Sequence, residues 1–223
     1  MTKSERSKVT ARILVEIGAV NFSLVSPFKL SSGFLSPSYI DCRKIIAYPL
    51  AFKSITDMMI EAIKSDMISQ SPNYIIGGET AGIPFAAVIA QKIGLPLSYV
   101  RKKPKDYGKN KLIEGEILKG KNSLLVEDLI TDGKSKINFV NNIRAHGIQC
   151  NLSLVVFKYN IFDDVDTTLK ENNIEVHHLT EWEEVYNVMC NMNKFETNIL
   201  SEIRRFLDDP VTWSNDKKQV KGL

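Results

Sequence analysis

The spacing of apolar residues changes character along this chain. From Val9, the positions Ile13, Leu14 and Ile17 recur at helical intervals, and Gly18 follows as a stop. The stretch "YPLAFKSITDMMIEAIK" predicts a second helix, with Pro49 at its first position and Ile55, Met58, Met59, Ala62 and Ile63 as the buried stripe. Beyond it, short apolar runs alternate with helical patterns. "NYIIGGETAGIPFAAVIAQKIG" reads as strand, glycine-rich turn and helix, with Pro84 near the helix start and Gly94 at its end. "LSYV" is a further strand. "NSLLVEDLITDGKSKINFVNNIRAHG" repeats the strand, loop and helix order up to Gly147, and "NLSLVVF" supplies the next strand. Such alternation predicts an α/β fold, a mostly parallel sheet with helices on both faces, in which ligands bind at the carboxyl ends of the strands.

The last third predicts a helix-strand-helix piece. "IEVHHL" is its strand, and Thr180 with Glu183 forms a capping box for the helix "EWEEVYNVMCN". Adjacent on a strand, His177 and His178 point to opposite faces and cannot chelate one metal together, so both are expected to be structural. "DDPVTWSNDKKQVKGL" reads as a polar, partly frayed tail.

Composition narrows the class without naming a chemistry. With 223 residues, 43% hydrophobic and 25% charged, the chain suits one well-packed domain. No stretch approaches the roughly 20 apolar residues of a membrane span, and the start "MTKSERSKVT" lacks a signal core, so a cytoplasmic protein is expected. Cys42, Cys150 and Cys190 are far apart without C-x-x-C pairing, which points to reduced thiols rather than a disulfide framework or zinc site. The net charge of +3 does not imply nucleic-acid binding. Its cations do cluster, in "RKKPKDYGKNK". Alone, that cluster reads equally as a solvated basic hairpin or a small nucleic-acid patch; between two strands and just ahead of a phosphate loop it reads as a lid.

The most informative stretch is "VEDLITDGKSK". Gly133-Lys134-Ser135 matches the end of a triphosphate-binding loop, but five positions earlier, where that loop needs glycine, stands Asp128. The whole run fits a ribose 5-phosphate better. The strand Leu124 to Val126 delivers Glu127 and Asp128 to its end, where carboxylates accept hydrogen bonds from a ribose diol. Leu129 and Ile130 lead into Thr131, Asp132, Gly133, Lys134 and Ser135, whose amides and hydroxyls lie at a helix N-terminus suited to a phosphate dianion. A plain strand-to-helix turn capped by Asp132 or Ser135 is the competing reading.

"LLVEDLITDGKS" resembles the diphosphoribosyl-binding motif of the type I phosphoribosyltransferases, and three further blocks are similar to the orotate phosphoribosyltransferase family. These are "SSGFLSPSYIDCRK", "GGETAGIPFA" and "RKKPKDYG" followed by "IEG". The resemblance implies a single domain with a base-covering hood at about 20–48, a phosphoribosyl-diphosphate-binding core at about 70–160 and a C-terminal extension at about 161–223. It implies orotate and 5-phosphoribosyl 1-diphosphate as substrates, with Mg2+ carried mainly by the diphosphate rather than caged by protein. Arg101, Lys102, Lys103 and Lys105 would form the cationic lid, joined by Tyr107 on the diphosphate. Glu127 and Asp128 would hold the ribose, and catalysis would rest on Lys105, Lys102, Arg101 and Asp128. Lys105, with Lys103 beside it, would act across a homodimer interface. Phe34, Ser36, Pro37 and Tyr39 would form the hood over orotate, with Thr131 and Lys158 as partners for its polar groups. Core packing is the alternative for Phe34 and Tyr39.

Several positions depart from the family pattern. Ser31 and Ala81 stand where many relatives carry lysine, Tyr107 where many carry histidine, and Lys134 where a small residue is usual. Lys158 occupies a region where many relatives use an arginine, and a lysine cannot make the same fork with a carboxylate. A purine-specific phosphoribosyltransferase and a non-catalytic sensor of phosphoribosyl diphosphate are the rival functions.

Overall fold

The computed structural model describes residues 1–67, 69–104, 112–162 and 164–221. The first helix, α1 (Lys3–Glu16), begins well before Val9 because Thr2 caps it. The Thr2 hydroxyl accepts from the Glu5 amide at 3.2 Å, and the Glu5 carboxylate accepts from the Thr2 amide at 2.7 Å. This reciprocal pair is a Thr-x-x-Glu signature that the apolar spacing alone does not reveal. Four short strands follow, β1 (Val20–Phe22), β2 (Phe28–Lys29), β3 (Leu35–Ser36) and β4 (Ser38–Ile40). They pair as two small antiparallel ribbons, β1 with β4 and β2 with β3, in the segment expected to be the hood and called so below. A 3-10 turn (Cys42–Ala47) leads into α2 (Pro49–Asp66), whose buried residues include all five predicted stripe positions.

The core comprises β5 (Tyr74–Gly78), α3 (Gly82–Ile93), β6 (Leu97–Val100), β7 (Ile113–Glu114), β8 (Asn122–Ile130), α4 (Lys134–Ala145) and β9 (Gln149–Lys158). The C-terminal part adds α5 (Asp164–Glu171), β10 (Glu175–Glu181), α6 (Trp182–Asn191), α7 (Thr197–Asp208) and α8 (Pro210–Lys221). Among the described residues the sheet has six strands in the order β10-β9-β8-β5-β6-β7, parallel throughout except for β7. Helices cover both faces, as predicted for buried parallel strands. Ile75, Leu124 and Val126 pack with Ala11, Met59 and Phe85 of α1, α2 and α3, whereas Ile76 and Leu125 pack with Phe139 and Ile143 of α4. Period-2 alternation assigns neighbouring strand residues to these two cores. No described helix is long and apolar enough to cross a membrane.

Three sequence expectations are corrected. The strand before the phosphate loop does not stop at Val126; β8 runs to Ile130, so Glu127 and Asp128 lie within it. The helix after β10 has Glu181 at its N-cap with no side-chain cap. Thr180 stays in the strand, buried, with its hydroxyl 3.1 Å from that of Ser7, so it is committed to packing β10 on α1 and forms no capping box. The tail is not a frayed polar segment. Residues 210–221 form α8, which buries Trp213 against Phe206 and Ser214 against the hood. The Ser214 hydroxyl accepts from the Leu35 amide at 2.9 Å. One tryptophan and one serine at adjacent positions anchor a helix that looks polar in one dimension.

His177 and His178 take structural positions. His177 Nε2 lies 2.8 Å from Glu175, and His178, mostly buried, has its pKa pushed down to about 4, chiefly by loss of solvent.

Candidate active site

A cavity of about 360 Å³ opens at the carboxyl ends of β5 and β8, between the hood and the start of α4. One wall is the β8–α4 connection, with Glu127, Asp128, Leu129, Ile130, Thr131, Asp132, Gly133 and Ser135. Gly133 is the N-cap of α4 at φ +77°, a left-handed conformation that glycine adopts at little cost. The Asp132 carboxylate accepts from the Lys134 amide at 3.3 Å, so the capping alternative is present in part, in a turn that also lines the cavity. The N-cap Gly133 offers no side chain to the helix, which leaves the next amides, those of Ser135 and Lys136, for a ligand.

Opposite stand Lys29, Leu30, Ser31, Tyr39 and Arg43, with Tyr159 at the back and Thr80, Ala81 and Lys102 on the β5 side. The Tyr39 hydroxyl accepts from Arg43 at 3.1 Å, and Tyr159 receives the Ile40 amide at 3.4 Å, tying the hood to β9. Four cationic side chains (Lys29, Arg43, Lys102, Lys136) therefore share the lining with three carboxylates (Glu127, Asp128, Asp132). That mixture suits a ligand carrying both phosphate charge and sugar hydroxyls.

Alternation along β8 separates the two acids. Glu127 turns towards α4, where it forms a buried ion pair with Lys136. Asp128 turns towards the hood side, where its charge is felt by Cys42 and Arg43, and one of its oxygens accepts from the Leu129 amide at 2.8 Å. Burial raises the pKa of both acids, opposed for each mainly by Lys136. Burial also lifts the Cys42 thiol well above its ordinary value, so this cysteine is no nucleophile. Close packing of glycines on β8 makes the arrangement tight. A Cβ on Gly78 would meet Glu127 Cγ at 2.5 Å, and one on Gly82 would meet the Val126 carbonyl at 2.2 Å.

Of the residues singled out in the sequence, the structure brings Tyr39, Lys102, Glu127, Asp128, Leu129, Ile130, Thr131, Asp132, Gly133 and Ser135 to this cavity. Lys134 contributes its amide at the start of α4, while its side chain is largely exposed and 3.5 Å from Asp132. Arg101 lies at the foot of the basic stretch, 3.5 Å from Glu79 and 3.7 Å from Glu114, and the Lys102 amide donates to Glu79 at 2.9 Å. Lys103 is exposed beside it. The stretch leaves from an antiparallel hairpin of β6 and β7, closed by the Arg101 amide on the Leu112 carbonyl at 2.8 Å. Lys105 and Tyr107 lie outside the described residues.

The remaining expectations sit elsewhere. Phe34 packs on Phe162 with ring centroids 4.9 Å apart, and Ser36 is fully buried, donating to the Ser38 carbonyl at 2.6 Å. Lys158 lines a different cavity, beside α5, and is paired with Asp166 at 2.7 Å. Conversely, Lys29, Arg43, Lys136 and Tyr159 were not anticipated. Arg43 lies within the quoted "SSGFLSPSYIDCRK" and Lys136 one residue past the phosphate loop, so proximity to the motifs was the available signal. Among the described residues no group of three or more His, Cys, Asp or Glu side chains is arranged to hold a metal.

Comparison with known proteins agrees with this geometry. A family model for the phosphoribosyl transferase domain matches residues 43–184. The chain is 44% identical over 216 residues to an orotate phosphoribosyltransferase of Ruegeria sp., covering 97% of this chain and 96% of that protein. The structure of orotate phosphoribosyltransferase from Aeropyrum pernix superimposes with TM-score 0.68 at 27% identity, covering 81% of this chain and 97% of that one. Leishmania donovani UMP synthase superimposes with TM-score 0.77 over 90% of this chain and 42% of its own, at an identity of 23% that speaks to the fold alone. With the motif order, the sheet topology and near full-length similarity in agreement, the chain belongs to the orotate phosphoribosyltransferase family, built on the type I phosphoribosyltransferase fold.

Proposed function

We propose that this protein joins N1 of orotate to C1 of 5-phosphoribosyl 1-diphosphate, releasing pyrophosphate and orotidine 5'-monophosphate in pyrimidine (UMP) biosynthesis. The observation that carries this reading is a cavity where the glycine turn before α4, two buried acids and the hood meet. As the anomeric bond breaks, the sugar becomes cationic and the leaving group gains negative charge. Fixed groups aimed at both charges lower that barrier. The amides and hydroxyls of 131–135 hold the 5'-phosphate. Asp128 and Glu127 hold the ribose hydroxyls and face the developing cation. Lys102 meets the diphosphate, with Lys103 and Lys105 closing over it as the lid and excluding water.

Orotate lies under Tyr39, with its carboxylate on the hood cations. Arg43 and Lys29 are better placed for this than Lys158, which is engaged by Asp166 in another cavity. Arg43→Ala is expected to raise KM for orotate roughly 10-fold or more and to leave KM for the diphosphate within about twofold, since a charge-assisted hydrogen bond is worth about 1.5–3 kcal/mol. Equal effects on both substrates in steady-state kinetics would remove Arg43 from the base site.

Magnesium would accompany the diphosphate. The substrate's oxygens and water would complete its shell. When bound it would neutralise charge on the leaving group. The enzyme would work in the cytoplasm, since a donor of such charge stays in the compartment that makes it. A homodimer is supported by an apolar face around Ile13, Ile17, Tyr48 and Leu50, where Leu50 is 82% exposed, and the exchange of lids across it is what the family resemblance implies.

The deciding experiment follows loss of orotate absorbance with phosphoribosyl diphosphate and magnesium. Turnover with orotate is expected, and turnover with a purine base alone would reassign the substrate. Lys105→Ala and Asp128→Asn should each be nearly inactive, yet their re-equilibrated equimolar mixture should recover roughly one quarter of wild-type activity, because half the dimers would contain one complete site. A mixture no more active than its parts would place the lysine in its own subunit's site.

A further inference from the structure

We propose that Lys136 is a positioning residue that keeps Glu127 ionised and fixed in place, so that the acid meets the ribose as a carboxylate. This rests on the phosphoribosyl-transfer reading above. Lys136 lies in the first turn of α4 and is only 3% exposed, an uncommon position for a lysine. Its ammonium donates to the Glu127 carboxylate and, at 2.6 Å, to the Leu129 carbonyl. Both partners are on β8, so one cation ties the helix start to the strand on either side of Asp128. Glu127 has little freedom in return. Gly78 and Phe139 close around it so tightly that a Cβ on Gly78 would come within 2.5 Å of Glu127 Cγ.

The electrostatic need for such a cation follows from the neighbours. Glu127 is buried and stands next to Asp128, and both conditions favour its protonated form. Against them act Lys136, the direct partner, and Lys102 from the β6 side; Asp128 answers to Lys136 and to Arg43 on the hood side. Without Lys136, Glu127 would lose its direct partner and, among the described residues, keep the weaker influence of Lys102. It would then take up a proton at a higher pH and lose the charge that draws the ribose cation.

The test uses the ligand-free, full-length protein with 13C-labelled glutamate carboxyls, Glu127 being assigned by comparison with Glu127→Gln. Lys136→Met should move the Glu127 titration midpoint up by about one pH unit or more. Lys136→Gln, which keeps a donor for the Leu129 carbonyl, should move it the same way, and Lys136→Arg should leave it near wild type. In kinetics, the acid limb of kcat/KM for phosphoribosyl diphosphate should shift upward with the midpoint, and the shift should vanish in Lys136→Met combined with Glu127→Gln. A folded Lys136→Met or Lys136→Gln variant with the Glu127 midpoint unmoved overturns the proposal and leaves Lys136 as a tie between β8 and α4. Because the carboxyl titration needs no substrate, it decides this point even if orotate proves not to be the base.

Discussion

Asp128→Asn is expected to lower kcat/KM at least about 100-fold, a loss of roughly 3 kcal/mol of transition-state stabilisation, without lowering the melting temperature. The substitution is isosteric and keeps an oxygen for the Leu129 amide, now 2.8 Å from Asp128 Oδ1. It removes only charge. Burial raises the folded pKa of Asp128 above its ordinary value. The folded state therefore binds this proton more tightly than the unfolded chain does. The resulting stability is present at low pH and lost as pH rises through the folded pKa, so at neutral pH the ionised carboxylate weighs against folding. Asparagine relieves that cost. Activity and stability should then move apart, as expected where a charge is kept for chemistry rather than for the fold. Kinetics paired with thermal unfolding at pH 7 checks both halves, and an active Asp128→Asn enzyme would remove this acid from the mechanism.

Gly82→Ala should be the most damaging single methyl group in the core. Its Cβ would stand 2.2 Å from the Val126 carbonyl oxygen and 3.0 Å from Glu127 Cα, both backbone atoms that no rotamer change can move. Relief requires α3 to lift from β8, and β8 carries both acids. We expect a destabilisation of about 3 kcal/mol, corresponding to a melting temperature lower by roughly 6–12 °C, with activity lost even in the folded fraction. By contrast, Gly94→Ala meets no atom within 4 Å and should cost only the strain of its left-handed φ of +70°. A Gly82→Ala protein melting like wild type would show that α3 packs less closely on β8 than the structure has it.

The central strands and helices were readable because their signals are local. Pro49 at the start of α2, Gly94 at the end of α3 and the apolar runs of β5, β8 and β9 each follow from steric or periodic rules acting over a few residues. The turn between β8 and α4 was readable for the same reason, since residues 131–135 are consecutive. Local signals mislead where one distant contact decides the outcome. Thr180 offers a helix cap, but the hydroxyl of Ser7 claims it. The last helix looks like a solvated tail until Trp213 finds Phe206 and Ser214 finds Leu35.

The partition within the site has the same origin. By itself the sequence determined the strand-loop-helix order, the adjacent acids and the glycine turn that follows them, because covalent spacing places them together whatever surrounds them. Only the tertiary structure decided that the two acids part to opposite sides, that Lys136 and Arg43 join them, and that Lys158 is drawn away by Asp166. A long cationic side chain goes where a carboxylate from another element lies within reach. That distance is set by packing β8 between α3, α4 and the hood, which no stretch of the chain specifies alone.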